Sequence, residues 1–332
     1  MHKDFKEIYS EHNGKVSDKW MLYIKEWDQI FLPFRDKEVN LLEIGIQNGG
    51  SLEIWAKYFE KARHIVGCDI NEACHNLEFD DPRITTVIGD ANSDEVDEKL
   101  KKITPEFDII IDDGSHLSGD IVRSFSHYFK RLNVNGVYLI EDLHTSYWDQ
   151  LGGGLYEPYS AITFLKRLVD LTNYEHWRIN QSRKEYLLPY SQKYGVEFNE
   201  SDLSMIKSVM FMNSLCLIYK NLSEETELGE RMIVGLEEKI TENTSKWDGT
   251  TIHDMTPVIF KDVSTLDVFS LIEQTDKLMS DAKKDKRKIS SLNSRINELE
   301  SEILSYENSK SWKITKPLRI LAALFKGENK NS

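Results

Sequence analysis

Cysteine is scarce in this chain of 332 residues, which contains only Cys68, Cys74 and Cys216. Their spacing fits no metal site, and so small an odd number excludes a disulfide framework and is typical of reduced thiols in a cytoplasm. No run of about 18 apolar residues occurs, so we expect no membrane-spanning helix. The first residues also lack the apolar core of a secretory signal. We therefore expect a cytoplasmic protein, and the 40% hydrophobic content is ordinary for a globular fold.

Acidic residues outnumber basic ones over the whole chain, and the balance reverses near the end of the sequence. The net charge is −14, yet residues 310–332 hold six basic side chains and one acidic one, so the rest of the chain carries −19. So acidic a body argues against nucleic acid as a partner, because the phosphate backbone selects basic surfaces.

Five short apolar runs alternate with stretches of helical periodicity. Runs this continuous suit strands that are buried on both faces, and the alternation predicts a doubly wound, Rossmann-like α/β sheet. Two further runs, 208–211 and 215–219, predict an antiparallel C-terminal hairpin at one edge. The predicted strands are 39–44, 64–69, 84–90, 107–113 and 136–142.

The sequence divides into five predicted regions. These are an N-terminal helical cap (1–38), the α/β domain (39–222), a mixed linker (223–284), a coiled coil (285–308) and a basic amphipathic tail (309–332). The coiled coil is predicted from apolar residues spaced by three and four, which would support a homo-oligomer. A single helix packed on its own domain is the alternative. That apolar seam consists of Ile289, Leu292, Ile296, Leu299, Ile303 and Tyr306.

The tail mixes apolar side chains, among them Trp312 and Phe325, with lysine and arginine. This composition suits an interfacial helix on the anionic inner face of a plasma membrane. Docking on a partner protein or on the acidic body of the chain is the alternative.

A glycine-rich turn follows the first strand, from Glu43 to Ser51. It lacks the dinucleotide fingerprint because Gln47 stands where the second glycine belongs. Acidic residues end three neighbouring strands: Glu43 suits the amino group of a methionine moiety, Asp69 a ribose diol and Asp90 an adenine amino group. This trio favours S-adenosylmethionine over a nicotinamide dinucleotide and predicts a class I methyltransferase fold. The expected cofactor-binding residues are Glu43, Gly45, Gly49, Ser51, Asp69, Asp90 and Asp112.

A second acidic group follows the fourth and fifth strands. Neighbouring strands lie about 4.8 Å apart, so Asp113, Glu141 and Asp142 should converge. Three close carboxylates repel one another unless a cation lies between them, and hard oxygen ligands favour Mg²⁺, Ca²⁺ or Mn²⁺ over zinc. His116, across a short turn from Asp113, is the expected general base for a hydroxyl bound to that metal.

These motifs resemble those of the metal-dependent macrolide-sugar O-methyltransferases of the mycinamicin and demethylmacrocin type. The resemblance rests on Asp112-Asp113-Gly-Ser-His116 and on the segment from Glu141-Asp142 to Trp148, and it extends over residues 10–222. It also includes Ser17-Asp18-Lys19 with Tyr23, the Glu43–Ser51 turn and Gly152-Gly153.

In that family a Mg²⁺ ion held by carboxylates chelates a sugar diol, and a histidine acts as the base. The resemblance implies that Asp113, Glu141 and Asp142 are the metal ligands and that His116 is the base. It leaves His144 as a second-rank candidate.

The end of the chain departs from that family. The segment 309–319 resembles tails found on bacterial surface-polysaccharide glycosyltransferases and their partners. We therefore expect a sugar O-methyltransferase that uses S-adenosylmethionine and Mg²⁺ or Mn²⁺ on a surface glycan such as lipopolysaccharide or capsule. Three alternatives remain: an enzyme for a glycosylated small molecule, a non-enzymatic scaffold of a glycan-assembly complex, or a nicotinamide-dependent enzyme of the same fold.

Overall fold

The computed structural model describes residues 3–177, 179–254 and 268–327, and within the last range it describes the side chains of 274, 275 and 277–322. Contacts divide the chain into two compact units, residues 1–266 and 267–332. The first unit contains the sheet and every residue that was predicted to bind the cofactor or the metal.

The strands of the first unit form one mixed sheet. They are β1 (Asn40–Ile44), β2 (His64–Asp69), β3 (Ile84–Ile88), β4 (Phe107–Asp112), β5 (Leu132–Ile140), β6 (Ile206–Met212) and β7 (Leu215–Lys220). Their spatial order is β3-β2-β1-β4-β5-β7-β6. β1 to β5 are parallel, whereas β7 is antiparallel to β5 and forms a hairpin with β6. The predicted doubly wound sheet with its antiparallel edge is confirmed.

Helices cover both faces of this sheet. In the first unit they are α1 (Phe5–Ser10), α2 (Met21–Phe31), α3 (Gly50–Tyr58), α4 (Asp94–Ile103), α5 (Ser118–Tyr128), α6 (Ala161–Leu171), α7 (Arg183–Tyr186), α8 (Leu188–Tyr194) and α9 (Glu200–Leu203). Because both faces are covered, apolar side chains alternate between two cores: Leu42, Val66 and Ile110 belong to one, and Leu41, Ile65 and Ile109 to the other.

The N-terminal cap is only partly helical. Residues 11–20, here called the cap segment, are irregular and separate α1 from α2. The backbone N–H of Lys15 donates to Glu53 Oε2 at 3.0 Å, and its carbonyl oxygen lies so close to Gly50 that a Cβ there would be 2.2 Å away. The irregular cap segment is therefore held against the start of α3.

The second unit contains two consecutive helices, α10 (Val268–Asn308) and α11 (Lys310–Gly327). α10 begins at Val268, inside the predicted mixed linker of residues 223–284, and heptad spacing marks only the last part of this 41-residue helix. The apolar seam residues of α10 are exposed, from 42% at Leu299 to 68% at Tyr306.

Among the described residues, no helix is long and apolar enough to cross a membrane. The side chain of Phe325, predicted to belong to the amphipathic tail, lies outside the described part.

Candidate active site

A cavity of about 440 Å³ opens at the carboxyl ends of the parallel strands. The turns that follow β1, β2, β3 and β4 line it, and the cap segment contributes residues 16–19. All seven predicted cofactor-binding residues lie at this sheet edge, and of these Gly49 alone does not line the cavity.

Glycine is required in the turn after β1. Gly45 has φ +86°, and a Cβ at this position would lie 2.0 Å from the carbonyl oxygen of Asp113. Gly49, with φ +78°, caps the N-terminus of α3. Left-handed backbone and close approach both exclude a side chain at Gly45, so this turn and the turn after β4 pack directly against each other.

The acids at the ends of β2 and β3 accept hydrogen bonds from nearby backbone. Asp69 Oδ2 accepts hydrogen bonds from the N–H groups of Ile46 and Gln47 at 2.9 and 3.0 Å. Asp90 Oδ1 accepts one from the N–H of Asn92 at 2.9 Å. These carboxylates fix the shape of the turns while lining the cavity.

Glu43 and Asp112 are more deeply buried. Ser51 Oγ and Trp55 Nε1 donate to Glu43 Oε2, at 2.7 and 3.2 Å. Burial raises the pKa of Glu43. Burial also raises the pKa of Asp112 to about 7, although its carboxylate accepts a hydrogen bond from the Tyr138 hydroxyl at 3.2 Å.

Asp113, His116 and Asp142 converge at the rim of the cavity. His116 Nε2 lies 3.9 Å from Asp113 Oδ1 and 3.9 Å from Asp142 Oδ2. One candidate ligand atom from each residue lies within 4.8 Å of the others, a spacing that could hold a metal ion. His116 and Asp142 adopt left-handed backbone, with φ +56° and +55°. Such strain in non-glycine residues is characteristic of functional sites.

Side chains from the N-terminal cap hold Asp142. Its Oδ1 accepts hydrogen bonds from Trp20 Nε1 at 2.9 Å and from the Tyr23 hydroxyl at 3.0 Å. Since Oδ1 is occupied, Oδ2 is the oxygen that faces His116. The pKa of Tyr23 is raised, mainly by burial.

Lys19 lies behind this rim among three carboxylates. Its ammonium donates to Asp113 Oδ2 at 2.5 Å and to Glu141 Oε2 at 3.0 Å, and it lies 3.5 Å from Glu43 Oε1. Burial lowers the pKa of Lys19, but the charges of these three acids outweigh burial and hold the pKa well above its usual value. Burial raises the pKa of Glu141, and its Oε1 accepts no hydrogen bond from the described residues.

The structure thus brings Asp113, Asp142 and His116 together, and it places Glu141 on Lys19 rather than within that group. The roles predicted for these four residues remain predictions. Sequence reasoning gave no role to Lys19, Trp20 or Tyr23. The only signal for two of them was that Lys19 and Tyr23 stand in the segment of the family resemblance, because nothing in the spacing indicates a contact across about a hundred residues.

Comparison with known proteins supports a methyltransferase domain. Residues 24–143 match the family model described as FtsJ-like methyltransferase. The chain is 40% identical over 164 residues to the 8-demethyl-8-alpha-L-rhamnosyl tetracenomycin-C 2'-O-methyltransferase of Streptomyces olivaceus, which covers 46% of this chain and 42% of that protein. It is 37% identical over 180 residues to demethylmacrocin O-methyltransferase of Streptomyces fradiae, covering 50% and 44%. The chain therefore spans less than half the length of these relatives.

A solved structure agrees with this assignment. The methyltransferase of the mycinamycin biosynthetic pathway, in complex with Mg, SAH and mycinamycin VI, superposes with a TM-score of 0.53 at 25% identity and covers 67% of this chain and 56% of its own. The predicted class I methyltransferase fold and the predicted resemblance are both confirmed: residues 24–143 match the FtsJ-like methyltransferase family model, and the chain is similar to macrolide-sugar O-methyltransferases.

Proposed function

We propose that this protein is an O-methyltransferase that uses S-adenosylmethionine and a divalent metal ion to methylate a sugar hydroxyl. The observation that carries the proposal is the convergence of Asp113, Asp142 and His116 at the rim of a cavity whose wall is the glycine turn after β1. Sequence similarity to sugar O-methyltransferases supports it independently.

The cofactor would occupy the part of the cavity formed by the turns after β1, β2 and β3. Asp69 and Asp90 line it at positions suited to the ribose and the adenine. Glu43 would bind the amino group of the methionine moiety through Oε1, because Oε2 already accepts hydrogen bonds from Ser51 and Trp55.

The residues at the rim fit Mg²⁺ or Mn²⁺. Asp113 Oδ1 and Asp142 Oδ2 are hard ligands, and the buried Glu141 Oε1 lacks a partner among the described residues. We propose Asp113, Asp142 and Glu141 as the residues that hold the ion. Such an ion would lower the pKa of a coordinated sugar hydroxyl.

His116 would accept the proton of that hydroxyl at Nε2. The new bond joins the hydroxyl oxygen to the methyl carbon, the carbon–sulfur bond of the sulfonium breaks, and its electron pair remains on the sulfur of S-adenosylhomocysteine. The chain contributes mainly orientation, because methyl transfer needs oxygen, carbon and sulfur in line.

A row of aromatic side chains beside Asp142 supports a sugar as the acceptor. The ring centroids of Trp20 and His144 are 5.9 Å apart, and those of His144 and Trp148 are 5.1 Å apart. Trp20 is 58% exposed and Trp148 45% exposed. Flat exposed rings of this kind offer an apolar face to a sugar ring while polar groups at the rim bind its hydroxyls.

Two acceptor classes follow from different observations. The relatives act on glycosylated small molecules, so a glycosylated natural product is the first candidate. The second unit favours a bacterial surface glycan instead: α10 exposes an apolar seam suited to self-association, and α11 is basic and suited to a membrane surface or a glycosyltransferase partner.

The test is methyl transfer from labelled S-adenosylmethionine to both acceptor classes. We expect transfer to a sugar hydroxyl, its loss in EDTA and its return with Mg²⁺ or Mn²⁺. Activity that EDTA leaves unchanged would contradict the metal assignment. Calorimetry that detects NAD binding but no S-adenosylhomocysteine binding would favour the nicotinamide alternative, and cofactor binding without transfer to any glycan would favour the scaffold.

A further inference from the structure

Lys19 is a fully buried cation that contacts two of the acids proposed to bind the metal. Its side chain is only 4% exposed, and its ammonium binds Asp113 Oδ2 and Glu141 Oε2. A buried charge is costly unless it is paired and hydrogen bonded. The lysine and the acids that it contacts therefore stabilise one another's charged forms.

The geometry divides the oxygen atoms of these two acids between two tasks. Asp113 Oδ2 accepts a hydrogen bond from Lys19, and Asp113 Oδ1 faces His116. Glu141 Oε2 also accepts a hydrogen bond from Lys19, and Glu141 Oε1 has no hydrogen-bond donor among the described residues. Each acid therefore has one oxygen fixed by the lysine and one left for another cation.

Lys19 is itself held in place from both sides along the cap segment. Before it, the backbone N–H of Lys15 donates to Glu53 Oε2 at 3.0 Å. After it, Trp20 Nε1 bonds to Asp142. Because neighbours on both sides are anchored, the ammonium is a fixed point of the structure rather than the end of a freely moving side chain.

We infer that Lys19 is a positioning residue for the divalent metal site: it orients Asp113 and Glu141 so that their other oxygens bind the ion. This inference rests on the proposed function and extends it to the N-terminal cap. Partners that orient metal ligands typically contribute about 10–100-fold to metal affinity.

The experiment measures Mn²⁺ affinity of the full chain by electron paramagnetic resonance. We expect K19M to weaken Mn²⁺ binding by at least about tenfold. K19Q, which keeps hydrogen-bond donors without the charge, should fall between K19M and wild type. K15M is the matched control, because it removes a lysine of the same segment that contacts Glu53 and none of the metal acids; its affinity should match wild type.

A lysine that only supplies counter-charge would give a different result. Removing its positive charge would then leave Mn²⁺ affinity unchanged or increase it, with K19M and K19Q alike, and either outcome overturns the inference. Equal weakening in K15M and K19M would also overturn it, because the effect would then arise from loss of the whole cap segment.

Two further readings keep the test decisive. Circular dichroism checks folding, and if K19M does not fold, K19Q carries the comparison with K15M. Failure of wild-type protein to bind Mn²⁺ would refute the proposed metal site itself, whereas wild-type binding that K19M leaves intact would refute the role of Lys19 alone.

Discussion

The proposed cofactor half of the cavity, formed by the turns after β1, β2 and β3, and the proposed metal half, around Asp113 and Asp142, differ in how far apart in the sequence their hydrogen-bonded residues lie. Asp69 bonds to backbone 22 and 23 residues away, and Asp90 to backbone two residues away. In the metal half, Lys19 and Asp113 are 94 residues apart, and Tyr23 and Asp142 are 119 apart. The first half is thus built by local turns, whereas in the second the N-terminal cap supplies distant side chains that hold the acids.

The largest effect should come from His116, the proposed base. H116A is expected to lower kcat by about 10²–10⁴-fold, the usual contribution of a general base. S-adenosylhomocysteine affinity, measured by calorimetry, should not change, because His116 contacts none of the acids predicted to bind the cofactor. H144A is the control: its ring is held by Ser214 at 2.6 Å, and we expect less than about a tenfold loss. A parallel loss of turnover and cofactor affinity in H116A would indicate a structural histidine.

The next largest effect should come from a substitution at Gly45, in the turn after β1 that lines the proposed cofactor site. G45A combines left-handed backbone with a clash against Asp113, so we expect a loss of at least about 2 kcal/mol in the free energy of unfolding. S-adenosylhomocysteine affinity should fall with it. G195A is the matched control, because Gly195 has φ +67° but nothing within 4 Å of its Cβ position. Equal destabilisation by both variants would show that strain alone, and not the close approach, requires Gly45.

The row of aromatic side chains formed by Trp20, His144 and Trp148 tests whether the acceptor sugar binds beside Asp142. W148A should raise KM for the sugar acceptor by about fivefold to tenfold, corresponding to loss of roughly 1 kcal/mol of ring contact. The KM for S-adenosylmethionine should stay constant. W247A removes another exposed tryptophan, one that contacts Arg231 and lies outside the row, and should leave both KM values unchanged. An unchanged acceptor KM in W148A would remove this row from the acceptor site.

The smallest effect should come from the contact between Tyr23 and Asp142. Y23F removes hydrogen bonds to Asp142 Oδ1 and to the Ser214 carbonyl, so Mn²⁺ affinity should fall by about fivefold, equivalent to about 1 kcal/mol. Y58F removes a hydroxyl that bonds to Asp28 in α2. It should lower stability to a similar degree without changing Mn²⁺ affinity. Equal Mn²⁺ affinities in Y23F and wild type would mean that Trp20 alone suffices to hold Asp142.

The sequence predicts correctly those features that depend on local patterns, such as strands, and those that sheet topology brings to one edge. Continuous apolar runs predicted the strands, and acids that follow adjacent strands were expected to meet because parallel strands end at one sheet edge. The convergence of Asp113 with Asp142 follows from that rule alone.

The same reasoning could not supply the cation behind those acids. A lysine in an irregular segment resembles any solvated lysine until the fold buries it, and Lys19 lies far from its partners along the chain. Heptad spacing likewise identified the end of α10 but not its beginning at Val268, because Thr275 and Asp285 interrupt the apolar seam in the earlier part of that helix.

The left-handed residues at the rim place catalysis and thermal stability in opposition. On the order of 1–2 kcal/mol is stored at each of His116 and Asp142, and glycine at either position would release that strain. Glycine would also remove the imidazole or the carboxylate. Selection of this domain for heat resistance alone should therefore enrich glycine at these two positions and yield robust folds that lack the proposed methyl-transfer activity.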